Sequence, residues 1–202
     1  MKNEPIPESL KKAYLSALDP VVRFFTKWNV HPNTFTTMGF LFGCAASFLA
    51  LKGSIRMACA VLLLSGIFDT LDGKLARDSG KVTKFGALYD STLDRYSEAM
   101  FFFGIAYYYI SMNMHLSALV TAVALGGSLM VSYIRARAEG LGFECKVGIL
   151  QRPERILLVG IGGLLHPIAL TVAMVIVAVL SNVTAVVRMA YVWRQDREGK
   201  KP

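Results

Sequence analysis

The chain has 202 residues, room for one or at most two domains. Hydrophobic residues make up 54% and charged residues 18%, against a usual charged share of about 25%, and mean hydropathy is +0.46; these values exclude a disordered chain, a disulfide-stapled mini-protein and most soluble folds. The net charge of +8 fits nucleic acid or an anionic membrane surface, and the hydropathy decides for an integral membrane protein with no nucleic-acid partner.

The first 33 residues are polar and mixed, so no signal peptide is expected. Within them, residues 7–28 carry Leu10, Tyr14, Leu15, Leu18, Val21, Val22 and Phe25 at helical spacing, with Lys11, Lys12, Arg23 and Lys27 between. That pattern predicts an amphipathic helix lying in the membrane interface, bent or broken at Pro20. Apolar runs follow at roughly 34–51, 55–75, 86–111, 115–137, 154–166 and 168–190. The second and third are interrupted by acids, and the fifth is short and ends at His166-Pro167. The predicted fold is an all-α integral membrane protein: an interfacial segment (1–33), six transmembrane helices (34–192), the last two a tight hairpin, and a basic tail (193–202).

Orientation follows from the cations. Of 22 Lys and Arg, only Lys52 and Arg56 fall on one side and Arg95 inside a span; the rest share the other side. Six spans with both termini cytoplasmic account for this split, in a cell membrane. Gly39-Phe-Leu-Phe-Gly43 is a GxxxG, readable as ordinary helix packing or as a dimer seam. Cys44, Cys59 and Cys145 are far apart with no CxxC, which argues against a disulfide framework or a zinc site.

Ionisable residues within spans are costly and mark function by default. Asp69 and Asp72 end the second apolar run, and Asp90 and Asp94 open the third. Their i,i+3 and i,i+4 spacings put each pair on one helix face, and the short connection lets the two faces converge at the cytoplasmic boundary. Four crowded carboxylates repel in low dielectric unless cations are present, and oxygen-only ligands favour Mg²⁺, Mn²⁺ or Ca²⁺ over zinc. Two blander readings compete: a charge cluster paired with Lys74, Arg77, Lys81, Lys84 and Arg95, and a carboxylate-lined cation transporter. Against the transporter, the acids lie at one end of their spans beside a Gly-containing basic loop, which suits a substrate phosphate.

The run Asp69-Thr-Leu-Asp72-Gly73-Lys-Leu-Ala76-Arg77, with Gly86, Asp90 and Asp94 following, resembles the signature of the CDP-alcohol phosphotransferase family, DxxDGxxARx8GxxxDxxxD. Every fixed position matches without a gap. The resemblance implies a metal-dependent transfer of a substituted phosphate from a CDP-linked donor to an alcohol, releasing CMP. It implies that Asp69, Asp72, Asp90 and Asp94 hold the metal, two Mg²⁺ or alternatively Mn²⁺, with Asp94 also the general base. It implies donor contacts at Gly73, Ala76, Arg77, Thr83 and the Pro32-Asn33-Thr34-Phe35 segment. Pro32-Asn33-Thr34 also reads as a helix start, and Gly86 as a close-packing position.

SYIRARAEG (from Ser132), RPER (ending at Arg155) and DSTLDR (around Asp94) resemble the phosphatidylinositol phosphate synthase branch and its archaeal ether-lipid counterparts. That implies an acceptor-phosphate pocket at Ser132, Arg135, Arg137 and Arg155, although many bacterial members carry Lys where Arg135 stands. Lys146 and Arg152 read either as part of that pocket or as positive-inside charge. Arg95 is expected to face away from Asp94, for packing or an acid partner; Glu98 reads as a protonated carboxyl, a partner for an arginine or a supporting group. His31, His115 and His166 are assigned no chemistry. The resemblance implies CDP-diacylglycerol as donor, inositol 1-phosphate as acceptor and a homodimer. Glycerol 3-phosphate, or an archaeal CDP-linked ether lipid, is the alternative.

Overall fold

A computed structural model describes residues 8–199. Lys2, Lys200 and Lys201, and the side chains of Leu10, Lys11 and Lys12, lie outside the described residues. The described chain is helical, with no strand among the described residues: α1 (Glu8–Ala17), α2 (Asp19–Lys27), α3 (Pro32–Leu51), α4 (Ile55–Asp78), α5 (Lys84–Ser111), α6 (His115–Gly140), α7 (Arg152–Leu165) and α8 (Pro167–Arg197).

Local chemistry sets these boundaries. The amphipathic segment breaks between α1 and α2, with Pro20 in the first turn of α2, where its missing N–H is harmless. Two His-Pro pairs start long helices: His31 Nδ1 accepts from the Asn33 N–H at 3.2 Å, and His166 Nδ1 from the Ile168 N–H at 3.2 Å. Both histidines are thus helix caps. Thr83 caps α5, its hydroxyl accepting from the Gly86 N–H at 2.9 Å.

Six helices lie where the six apolar runs predicted them, and three of them, α3, α6 and α8, are long and apolar enough to cross a membrane on their own composition. The acids deprive α4 and α5 of a clean apolar window, and the 14 residues of α7 span only about 21 Å. These six pack in a closed ring, α3 against α4, α4 against α7, α7 against α8, α8 against α6, α6 against α5 and α5 against α3. Its core includes Phe101, Phe102, Ile105, Tyr109, Val159, Leu170, Met174 and Val177.

The GxxxG works inside this ring. A Cβ on Gly43 would lie 1.8 Å from Ser97 Oγ on α5, and one on Gly39 would lie 2.8 Å from Asp69 Oδ1 on α4. Both glycines therefore let α3 approach its own neighbours, which gives the motif an intramolecular use. All three cysteines are free.

Outside the ring, α2 leans on α4. Val22, Phe35, Leu71 and Leu75 form a second small core with Leu18, Phe25, Val30 and Phe68 around it. Lys74 Nζ meets Asp19 Oδ1 at 2.7 Å, and Lys81 Nζ donates to Asn29 Oδ1 at 2.6 Å and to its carbonyl at 3.1 Å. The N-terminal helices are thus fastened beside the run of residues that carries Asp69 and Asp72.

Candidate active site

The four aspartates stand on the facing ends of α4 and α5, with α3 packed against both helices. Asp72 is buried and accepts a hydrogen bond from Thr36 Oγ1 at 2.6 Å. Asp69 and Asp94 share one partner: Arg152 Nη1 lies 2.6 Å from Asp69 Oδ2 and 2.9 Å from Asp94 Oδ1. All three side chains are about one-sixth exposed or less. Asp90, half-buried, lies close enough to Asp69, Asp72 and Asp94 to be repelled by them. One guanidinium from α7 therefore ties α4 to α5 and offsets part of this negative charge.

Among the described residues no three carboxylate, imidazole or thiol groups stand in metal-ligand arrangement. The donor set itself fits a hard divalent cation, being all oxygen. Its side chains are held by protein donors, Asp69 and Asp94 by Arg152 and Asp72 by Thr36.

The expected donor positions gather at one end of the ring. Pro32 and Phe35 are buried, Phe35 edge-on to Phe25 with ring centroids 4.9 Å apart; Asn33 is half-buried and Thr34 exposed. The space beside Gly86 is bounded by Thr83 Oγ1 and Asn33 Oδ1, 2.9 and 3.4 Å from where a Cβ would stand. Arg77 folds back over Gly73, its Nη1 3.4 Å from the position of a Cβ there, with Ala76 half-buried beside it. Thr37 Oγ1 and the Tyr89 hydroxyl, 3.0 Å apart, join α3 to α5 nearby.

The expected acceptor residues are held in different ways. Ser132 donates to the Ser128 carbonyl at 3.3 Å, Arg135 is exposed and paired with Glu139 at 2.9 Å, and Arg137 is exposed. Arg155 is engaged by protein groups. It is 1% exposed, with Nε 2.8 Å from Glu98 Oε1, Nη2 3.1 Å from Glu98 Oε2 and Nη1 3.3 Å from the Leu150 carbonyl. Its Nε and both Nη nitrogens each have a protein partner, which makes Glu98 the partner of an arginine. Arg95, expected to face away from Asp94, instead leans back to 3.5 Å from its Oδ2.

Arg152, which the sequence left open between the acceptor pocket and positive-inside charge, stands against Asp69 and Asp94. Its signal was position: it opens α7, three residues before Arg155 and hence on the same helix face. Arg188 was counted only among the cations of the more basic side, yet it is buried on α8 and donates to the Val147 carbonyl at 2.7 Å and to the Val131 carbonyl.

With this geometry in place, comparison with known proteins is specific. The family model for CDP-alcohol phosphatidyltransferase matches residues 29–195. An archaetidylinositol phosphate synthase of Methanothermobacter thermautotrophicus is 38% identical over 195 residues, covering 92% of this chain and 97% of that protein. A phosphatidylinositol phosphate synthase of Mycobacterium tuberculosis is 33% identical over 198 residues, covering 93% and 91%. The crystal structure of the M. tuberculosis enzyme with CDP-DAG bound superposes with TM-score 0.79, covering 86% of this chain and 92% of that one at 33% identity. The same enzyme's complex with manganese and citrate also gives 0.79.

Proposed function

The chain belongs to the CDP-alcohol phosphatidyltransferase family, and from that premise we propose that it moves a phosphatidyl group from CDP-diacylglycerol to inositol 1-phosphate, giving phosphatidylinositol phosphate and CMP. It is a membrane transferase of phospholipid biosynthesis. The observation that supports the transfer chemistry is the gapless signature from Asp69 to Asp94, whose four carboxylates fall on the facing ends of two helices, with Asp69 and Asp94 under one shared arginine; the stretches from Ser132 and around Arg155 support the acceptor.

The family is metal-dependent, and one structural neighbour was solved with manganese. Held by Asp69, Asp72, Asp90 and Asp94, two Mg²⁺ or Mn²⁺ ions would supply charge for the donor pyrophosphate and the departing CMP. The protein's own residues do the rest. Arg77 and the Asn33–Thr83–Gly86 corner bind the nucleotide and phosphates, a guanidinium fork matching phosphate geometry. Asp94 takes the acceptor hydroxyl proton. Ser132, Arg135 and Arg137 on α6 and Arg152 on α7 receive the acceptor phosphate, with Arg155 and Glu98 bracing that wall.

The relatives named above share inositol phosphate in their names and differ in the lipid. The 38% identity to the archaeal protein supports a second reading in which the donor tails are ether-linked. For the ring we propose six membrane crossings with both termini cytoplasmic, α4, α5 and α7 completing a bundle whose α3, α6 and α8 are apolar enough alone. A homodimer in the cell membrane is part of this reading.

Asp94→Asn tests the chemistry. CMP formation is expected to fall by at least about 10²-fold, the share of a general base, while the variant keeps its elution profile and helix content. Undiminished CMP formation in the variant would remove Asp94 from the reaction.

A further inference from the structure

Two arginines open α7 one turn apart, and they are held very differently. Arg155 uses Nε and both Nη atoms, two of them on Glu98 in a parallel fork. Arg152 makes both of its acid contacts through Nη1 alone. Its Nε is buried and has no hydrogen-bond partner. A single nitrogen serving two carboxylates leaves most of the guanidinium uncommitted, and buried donors without partners are rare enough to need a reason.

The backbone under Arg152 is fixed. The Glu154 carboxylate accepts from the Gln151 N–H, and Arg155 grips the Leu150 carbonyl. Movement at this point therefore belongs to the Arg152 side chain. The charges facing it are Asp69 on α4, and Asp94, Arg95 and Glu98 on α5, with Arg155 behind it on α7. Removing Arg152 alone leaves Asp69 and Asp94 without their shared cation.

We propose that Arg152 is a displaceable internal cation, which competes with a divalent ion for the Asp69 and Asp94 carboxylates and swings off them when the ion binds. The proposal rests on reading these aspartates as metal ligands. Two positive groups cannot share that narrow space between α4 and α5 without repelling, and one carboxylate oxygen of each aspartate is already taken by Nη1. Arg152 thus holds the two carboxylates together, and once displaced it presents its guanidinium to an incoming phosphate. It is a positioning residue that couples metal loading to acceptor binding.

Mn²⁺ binding by the purified full-length protein, read from loss of the free-ion electron paramagnetic signal without any substrate, tests this. Arg152→Gln is expected to bind Mn²⁺ about tenfold tighter than the wild type, inside the usual range of a coupling between two sites, and Arg152→Lys several-fold tighter. Equal or weaker binding by these variants, with binding still lost in Asp94→Asn, overturns the proposal and leaves the metal assignment standing. Asp69→Asn and Asp94→Asn binding as the wild type does would overturn the metal assignment itself. Should the Arg152 variants not fold, the wild type carries the test through phenylglyoxal modification mapped by mass spectrometry. Arg152 is expected to react faster with Mn²⁺ present, and an unchanged or slower rate would overturn the proposal.

Discussion

Glu98 and Arg155 illustrate what a buried ion pair does at the level of single residues. Both are almost wholly out of solvent, and the pair joins α5 to α7 directly beneath the Asp69–Arg152–Asp94 contact. Removing one partner strands a charge in low dielectric, whereas replacing both with apolar groups of similar volume does not. Arg155→Ala is therefore expected to lose about 3–5 kcal/mol in denaturant or thermal unfolding, and Glu98→Leu/Arg155→Met to recover most of it. A double variant no more stable than Arg155→Ala would mean that the pair's specific geometry is what the fold needs. The placement of the four aspartates on facing helix ends was legible in the sequence because short, fixed spacings put each pair on one helix face. The pairing of Arg155 with Glu98 was not, because the two lie 57 residues apart and only packing brings them together. The same holds for Arg152 and Asp69, 83 residues apart.

Among the elements, α3 is the one whose neighbours read most clearly. Gly43 touches Ser97 so closely that Gly43→Ala forces α3 from α5, with an expected cost of about 1–3 kcal/mol from overpacking. Ser97→Gly in the same chain should recover much of it; no recovery would point to another clash. The GxxxG spacing announced a close approach in the sequence but not its direction, since which helices surround a small-residue face is decided by the whole ring. The connection between α6 and α7 is strapped from α8: Arg188 holds the Val147 carbonyl, Thr184 Oγ1 accepts from the Ile149 N–H at 3.3 Å, and Gln195 Nε2 reaches the Glu144 carbonyl at 2.8 Å. Gly148, with φ +145°, fits against Thr184 where a Cβ would lie 2.6 Å from its methyl. Cys145 is fully buried in this connection, and burial pushes its thiol above the ordinary range. Maleimide should thus label it slowly in the folded protein and at least about tenfold faster in Arg188→Ala, where the strap opens. Equal rates would show that Arg188 does not hold the connection.

At the N-terminal helices, the Lys74 ammonium hydrogen-bonded to Asp19 holds that carboxyl below its usual value. A carboxyl lowered in the folded state adds stability that is present above its ordinary value of about 3.9 and is lost as pH falls through the lowered one. The Tm of the wild type should exceed that of Asp19→Asn slightly at about pH 6, and the difference should shrink as pH falls below the ordinary carboxylate range. A difference that persists at low pH would place the effect elsewhere.

For the whole molecule, the ring explains how a chain with acids inside its apolar runs folds in a membrane. The carboxylates gather at one end, where Arg152 and Thr36 meet them, and apolar side chains from all six helices of the ring form the core. The helix count and positions were legible because apolar run length and His-Pro punctuation are local signals. The ring order was not, because nothing in a helical period names the neighbour it packs against. The ring is proposed to carry out phosphatidyl transfer to inositol 1-phosphate. The most direct test is CMP release by the purified protein with CDP-diacylglycerol and Mg²⁺, comparing inositol 1-phosphate, glycerol 3-phosphate, free inositol and serine. Release confined to inositol 1-phosphate is the predicted result; release only with another alcohol, or none from folded protein with any of the four, would contradict it.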